Sequence, residues 1–330
     1  MKRFFTWLSI LILVLVGVLI ALSFRASPAE TEYGMTFSVP YAQEIGLDWK
    51  ETYRAMLSDL DVKHVRIPVY WSLVEPRRGS YNWRDIDFQV EEARGHGATV
   101  VLAVGRRVPR WPECHIPEWA KELQWEDEKK EVRAYIEATI ERYKDNPAVT
   151  MWQVENEPYL RFFADDHCGV LDESFLDEEI ALVKSLDERP ILITDSGNLG
   201  YWASAYRRAD VFGTSVYLYF WNDTTGAFRT ILPPAYYRVK ANLMNLLFGE
   251  RPIILSELSL EPWLGAFIQD VPIEEQLERM SIDKFHETIA YAQETSFGMQ
   301  YLWGVEWWYY MKEKQGHPEF WEAGKALFHE

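Results

Sequence analysis

Eight short apolar runs, separated by longer amphipathic stretches, constrain this chain more than any other feature. The runs cover residues 34–39, 63–69, 98–104, 149–154, 190–194, 211–217, 252–257 and 299–305. Each is nearly continuous in hydrophobic residues rather than alternating, as parallel strands covered on both faces are. Helical segments are expected between them over 48–60, 83–96, 129–143, 173–186, 235–248 and 273–294, with 318–328 closing the series. After the fifth run only a short helix over 201–208 is available. In 129–143 the apolar positions Val132, Tyr135, Ile136, Ile140 and Tyr143 keep helical spacing. Eight strand–helix units in 330 residues match one α/β fold, the single (β/α)8 TIM barrel. Two α/β domains are the alternative, but no Pro-, Gly- or Ser-rich linker divides the chain.

Ahead of the barrel, assigned to residues 33–330, lie an expected targeting segment (1–25) and a linker (26–32). Lys2 and Arg3 precede 21 residues, 4–24, whose apolar character is broken only by Thr6, Ser9, Gly17 and Ser23. Signal-peptide cores span about 7–15 apolar residues, and a membrane span needs about 20. An anchor through residues 4–24 is therefore expected, with the barrel on the extracytoplasmic side. A cleaved signal is the alternative, since Ala21-Leu22-Ser23 offers small residues near a cleavage point.

The net charge of −17 excludes a nucleic-acid-binding face, which has to be basic. The 15 tryptophans suit either stacking on sugar rings or a Trp-rich core. Cys114 follows the third run and Cys168 the fourth, so both fall in neighbouring loops of a barrel. In an oxidising compartment a disulfide between them is expected. His115 and His167 alongside leave a Cys/His metal site as the rival, although the spacing fits no zinc pattern. No metal or cofactor is expected.

The fourth run ends in Asn156-Glu157-Pro158 and the seventh in Ser256-Glu257. Barrels of this kind place working groups at the C-terminal ends of their strands. Strands four and seven lie across the mouth from each other, so Glu157 and Glu257 would face each other. Two facing carboxyls are the minimum for cleaving a glycosidic bond, about 5–5.5 Å apart for retention and about 6.5–9.5 Å for inversion. One has to carry a proton while the other is ionised. Arg66 interrupts the apolar second run and needs an acidic partner, either Glu257 or a structural one. Tyr217 ends the sixth run and offers a hydroxyl to the same carboxylate, or serves as a rim aromatic.

These residues resemble the clan A glycoside hydrolases, cellulase-like family 5 and its relatives, over roughly residues 33–325. The similarity rests on Trp152-Gln153-Val154-Glu155-Asn156-Glu157-Pro158 and Ile254-Leu255-Ser256-Glu257. It extends to Arg66-Ile67-Pro68, Trp71-Ser72-Leu73-Val74-Glu75-Pro76, Gly79-Ser80-Tyr81-Asn82-Trp83 and Tyr301-Leu302-Trp303-Gly304. The resemblance implies a retaining double displacement on β-linked glucans, mannans, xylans or galactosides, without a metal. It implies that Glu157 is the acid/base and Glu257 the nucleophile, oriented by Arg66 and Tyr217. Asn156 would contact the 2-hydroxyl of the sugar, and Trp303 would lie under it. Trp71 and Trp307 are expected among the substrate-contacting or orienting residues. Ser215 and Gly105-Arg106-Arg107 depart from positions where family 5 often carries histidine, which leaves the subfamily open.

Around the mouth, Trp111, Trp221, Trp263, Trp307 and Trp308 are candidates for sugar stacking or loop packing. Arg106, Arg107 and Arg110 are either an anionic-sugar site or members of local ion pairs. Glu155 reads as a positioning or structural residue, Glu306 as a further acid, and Asp195 as a candidate hydroxyl binder. The expected partner is an extracellular poly- or oligosaccharide, handled by a monomer. Exo-acting β-galactosidase or β-glycosidase action and transglycosylation use the same residues. A non-catalytic, membrane-tethered carbohydrate-binding barrel is the reading of another class.

Overall fold

The structure, a computed structural model, describes residues 2–24, 30–161, 168, 169, 171–222 and 224–329. The strands are β1 (Glu32–Thr36), β2 (His64–Pro68), β3 (Thr99–Val104), β4 (Val149–Val154), β5 (Ile191–Asp195) and β6 (Val211–Val216), then β7 (Tyr219–Asn222), β8 (Gly226–Arg229), β9 (Ile253–Ser259) and β10 (Met299–Trp303). All but β7 and β8 close into a barrel in the order β1-β10-β9-β6-β5-β4-β3-β2. Every pairing around it is parallel. Each of the eight apolar runs thus supplies one barrel strand, because both faces of each are covered by side chains or helices. The expected (β/α)8 architecture is the observed one.

Inside the barrel, Val101, Leu192, Val211, Ile254 and Tyr301 pack as a core of their own. Gly34 lets the Tyr301 ring lie there, since a Cβ at that position would sit 2.6 Å from the ring. Outside, helices bury their apolar stripes against the strands in one continuous core. Much of the tryptophan goes into this packing: Trp71, Trp152, Trp202, Trp307, Trp308 and Trp321 are fully buried.

Three local features differ from the sequence expectation. The stretch 273–294 is two helices, Ile273–Arg279 and Ile282–Gln293. Met280 leaves helical geometry, and Ser281 caps the second helix by accepting from the Lys284 N–H. The seventh run does not stop at Glu257 but continues to Ser259. Strands β7 and β8 form an antiparallel hairpin that rises after the sixth barrel strand. Its signal is the run Tyr219-Phe220-Trp221 and the pair Ala227-Phe228, with Thr224-Thr225 and then Gly226, the first residue of β8, between them.

Lys2–Ser23 is a single helix. The carbonyls of Leu22, Ser23 and Phe24 at its end accept from Asn242 and Arg238 of the helix Pro234–Phe248. Part of its side chains lies outside the described residues, and among those described no helix is long and apolar enough to cross a membrane. Residues 25–29 of the expected segment boundary and linker, and His167, also lie outside the described residues.

Candidate active site

The chain leaves β4 through two left-handed residues, Glu155 (φ 56°) and Glu157 (φ 42°). Residues with a Cβ resist this conformation by about 1–2 kcal/mol each, so the surroundings have to hold it. They do so at several points. The Glu155 N–H donates to Val104 O at 2.9 Å, and Asn156 N–H to Arg107 O at 2.8 Å. The Glu155 carboxylate accepts from the N–H groups of Arg106 and Arg107, each at 2.7 Å. Glu157 N–H donates to Thr194 Oγ1 on β5 at 2.8 Å. Glu155 therefore positions the loop, and it does so because Gly105 leaves room: a Cβ there would lie 2.4 Å from the Glu155 carboxylate.

Glu257 reaches the mouth by a different device. Opposite β6 the register steps from Thr214↔Leu255 to Ser215↔Glu257, and opposite β10 it also shifts between Gln300 and Leu302. A bulge at Ser256 is the common cause, and bulges re-aim side chains. Arg66, fully buried on β2, donates from Nη1 to Glu257 Oε1 at 3.0 Å. Tyr217 Oη donates to Glu257 Oε2 at 2.9 Å. Arg66 also donates from Nε to Gln153 Oε1 at 2.7 Å, from Nη2 to Asn156 Oδ1 at 2.8 Å, and from Nη1 to Ser256 O at 3.0 Å. One guanidinium thus ties the end of β4 to the end of β9. Asn156 Oδ1 also accepts from Gln153 Nε2 at 3.1 Å, so its carbonyl edge is turned into the protein.

Glu157 is held well above the usual carboxylate range, first by burial and then by the charges of Glu257 and Glu113; Ser215 opposes and Asp195 adds to the shift. Its Oε1 has no hydrogen-bond partner among the described residues. The Tyr217 phenol is likewise pushed well above its ordinary value, by burial first and then by Glu257, so it stays a donor.

Trp303 ends β10, half-buried, with the Arg110 guanidinium 4.8 Å from its ring and the Tyr217 ring 6.2 Å away. Beside Tyr217 stands an aromatic wall: Trp263 at 5.1 Å, Phe220 at 5.9 Å, and Phe228 stacked on Phe220 at 5.2 Å. Trp111 is exposed, and Trp221 and Trp263 are half-buried.

Other expectations are corrected. Trp71 and Trp307 do not face the mouth: both have no exposed surface. Trp71 packs against Trp119 and Tyr135 and donates to Glu75, while Trp307 packs on Phe320 and donates to Gln276. Trp308 is buried in the same way and donates to Leu260 O. Asp195 is no free hydroxyl binder, because its oxygens accept from the Ser196 and Trp202 N–H groups. The three arginines form no anion site. Arg106 pairs with Glu128, Arg107 with Glu113 and Arg110 with Glu261. Glu306 accepts from the Ser38 N–H and is pushed up to about 7, mainly by burial. Cys114 and Cys168 are joined in a disulfide, so neither thiol is available to a metal.

Sequence reasoning missed three participants. Gln153 is a polar residue inside an apolar run, the same signal that singled out Arg66. Thr194 carries a similar but weaker signal. Glu113 has none, because only the loop's tertiary course brings it to the site.

The glycosyl hydrolase family 42 model, described as beta-galactosidase, matches residues 43–128 and 120–249, together more than half of the chain. The chain belongs to this family. The clan expected from the motifs is thus the observed one, with the match falling to family 42 among the relatives of family 5. The matched region includes Glu157 and ends ahead of Glu257. The chain is similar to the beta-galactosidase Bga of Halorubrum lacusprofundi, 23% identical over 57% of this chain and 26% of the relative. It is also similar to mannan endo-1,4-beta-mannosidase 7 of Oryza sativa subsp. japonica, 27% identical over 36% of each. The chain therefore spans well under half the length of these curated relatives. Among solved structures, the beta-galactosidase of the psychrophilic Marinomonas ef1 shares the fold at a TM-score of 0.59 and 13% identity, covering 91% of this chain and 59% of that one.

Proposed function

We propose that this family-42 chain is a retaining β-glycosidase acting on extracellular β-linked oligo- or polysaccharides. Glu257 attacks the anomeric carbon as Glu157 gives its proton to the departing oxygen, and a glycosyl-enzyme ester forms on Glu257. Water, deprotonated by Glu157, then breaks that ester and restores both groups. The observation that carries this reading is the paired Glu257, bonded to Arg66 and Tyr217, whose charge acts on the buried Glu157. A buried carboxyl that holds its proton beside a second carboxyl has the character of a proton donor. With Asn156 Oδ1 taken by Arg66 and Gln153, the amide Nδ2 is left to donate to the sugar 2-hydroxyl. Half-buried Trp303 supplies the apolar face beneath the ring.

Galactosides and mannosides are the first substrates to try, because relatives of this chain carry those names. The test is hydrolysis by the full chain of aryl β-glycosides, β-galactan, β-mannan, xylan and β-glucan, with Glu257→Gln as control. The anomer released first, read by proton NMR, has to be the β anomer. An α product, or turnover that survives Glu257→Gln, overturns the scheme. Binding without turnover would favour the carbohydrate-binding reading instead.

The apolar stretch 4–24 behind Lys2 and Arg3, with the disulfide, supports a barrel anchored outside the cytoplasm. Extraction of the full chain from membranes by alkaline carbonate would argue against the anchor.

A further inference from the structure

The Trp303 indole is oriented without a hydrogen bond. Its buried Nε1 has no partner among the described residues. The backbone that carries it is fixed: Leu260 N–H donates to Trp303 O at 3.0 Å, and Trp303 pairs with Ser259 in the barrel. Gly304 follows with φ 119°, and a Cβ there would lie 3.0 Å from the Leu260 carbonyl carbon and 3.1 Å from Glu261 Cβ. The end of β10 is therefore pressed against Leu260-Glu261. Side-chain rotation still leaves an indole several staggered orientations. Two groups meet the ring and limit that choice. The Tyr217 ring stands nearly perpendicular to it at 6.2 Å, and the Arg110 guanidinium lies over it at 4.8 Å.

Arg110 is anchored at both ends. Its Nη2 lies 2.8 Å from Glu261 Oε1, the two side chains being only 15% and 7% exposed. Its guanidinium carbon is 3.3 Å from the centre of the Tyr41 ring. Its backbone is left-handed (φ 91°), so outside contacts have to maintain it. Pro109 O accepts from Tyr70 Oη at 3.3 Å, and Arg110 O accepts from Glu113 N–H at 2.7 Å and His115 Nε2 at 3.1 Å. Around this turn, Arg107 and Cys114 form an isolated antiparallel bridge, and Cys114 is bonded to Cys168. Arg110 belongs to the loop after β3 and Glu261 to the loop after β9. In the closed barrel these strands stand opposite each other, with β2, β1 and β10 between them on one side. Tyr41 follows β1 and Trp303 ends β10, so the ion pair crosses the mouth on that side.

We propose that Arg110 is a positioning residue for the sugar platform: clasped by Glu261 and Tyr41, its guanidinium fixes the Trp303 indole with one face toward the ring being cleaved. The proposal rests on the reading of Trp303 as the surface beneath that sugar. A cation is attracted to the negative face of an indole, more strongly where water is excluded. A guanidinium is also planar and stacks, which a lysine ammonium does not do. With one face of the indole taken by Arg110, the other is left for the C–H groups of the sugar. The orientation bears on the chemistry because the same indole stands against Tyr217, the donor to Glu257.

The test follows the Trp303 ring by fluorine NMR in the full chain labelled with fluorotryptophan, its signal assigned as the one lost in Trp303→Phe. In Arg110→Met that signal shifts or broadens, while the signal of Trp321, buried elsewhere in the core, stays in place. A double-mutant cycle on an aryl β-glycoside then separates positioning from general support of the fold. Arg110→Met lowers kcat/KM by about threefold or more in the parent and by nothing further in Trp303→Ala, because contacting residues couple. An arginine of purely structural use lowers both backgrounds alike. Arg110→Met leaves Glu261 buried without its partner, so Arg110→Met/Glu261→Gln, which removes both charges, serves should the single variant fail to fold. An unmoved Trp303 signal in a folded variant, or equal losses with and without the indole, overturns the proposal. A moved signal in a chain that turns over no β-glycoside leaves the positioning of the ring standing and removes the glycosidase reading.

Discussion

Arg66 Nη1 stands 3.0 Å from Glu257 Oε1, joining residues 191 positions apart in the chain. The same guanidinium reaches Gln153, Asn156 and the Ser256 carbonyl. It fixes the two glutamate-bearing segments relative to each other, and no other side chain at the mouth bonds to both β4 and β9 among the described residues. Arg66→Met leaves the half-buried Glu257 carboxylate with Tyr217 alone and takes a buried donor from the Gln153 and Asn156 side chains. Removing one partner of such a pair costs about 3 kcal/mol or more, measurable by urea unfolding. Arg66→Lys keeps a charge but not the fork. It is expected to retain more of the stability than Arg66→Met while losing most of kcat, and a Lys variant as active as the parent would contradict this account.

Stability and chemistry pull against each other at Glu157. Its folded value is raised well above the ordinary carboxylate range, so the native state binds the proton more tightly than the unfolded chain. Below the unfolded value, near 4.3, both states are protonated and the residue contributes no pH dependence. As pH rises from there through the folded value, stability is lost, because the unfolded chain ionises more readily. Glu157→Gln abolishes that loss. The variant should melt at a higher temperature than the parent at pH 8, with the gain shrinking toward pH 4. A gain that grows on acidification would place the ionised form in the native state.

The same substitution separates the two chemical steps. In the proposed mechanism a poor leaving group takes its proton from Glu157, and loss of a general acid costs about 10²–10⁴-fold. A dinitrophenolate leaves without help. Glu157→Gln is therefore expected to cleave unactivated disaccharides at least about a hundredfold more slowly, while formation of the glycosyl-enzyme from a dinitrophenyl glycoside is nearly unaffected. Equal losses on both substrates, followed by pre-steady-state release of the phenol, would remove the proton from the mechanism.

The strands were legible because burial on both faces leaves continuous apolar runs, which no loop imitates for long. The glutamates were legible because each closes such a run. Trp71 and Trp307 were misread for a physical reason: position in the chain places a side chain near a strand end, but only tertiary packing decides whether it turns outward. Both turn inward, onto Tyr135 and Phe320. The bulge that aims Glu257 is equally silent in the sequence, since Ser256 looks like any other strand residue. Arg106, Arg107 and Arg110 looked like a basic patch because their acidic partners, Glu128, Glu113 and Glu261, lie up to 151 positions away or on a turn of irregular shape.

Gly105 offers the sharpest separation of backbone from chemistry. It departs from the family-5 pattern in sequence, and the structure gives the reason: its φ is 119°, and a Cβ would fall 2.4 Å from Glu155 Oε1. That carboxylate holds the N–H groups of Arg106 and Arg107, and through Arg107 O it supports Asn156. Gly105→Ala thus meets two costs at once, a disfavoured backbone of about 1–3 kcal/mol and displacement of the Glu155 anchor. The substitution touches neither glutamate of the pair. It is nevertheless expected to lower kcat at least tenfold, since the loop bearing Glu157 shifts, and to lower the melting temperature. Adding Glu155→Ser removes the colliding carboxylate but also its two hydrogen bonds, so the double variant should recover no activity over Gly105→Ala. Recovery would mean that steric room, not the Glu155 anchor, is what Gly105 protects.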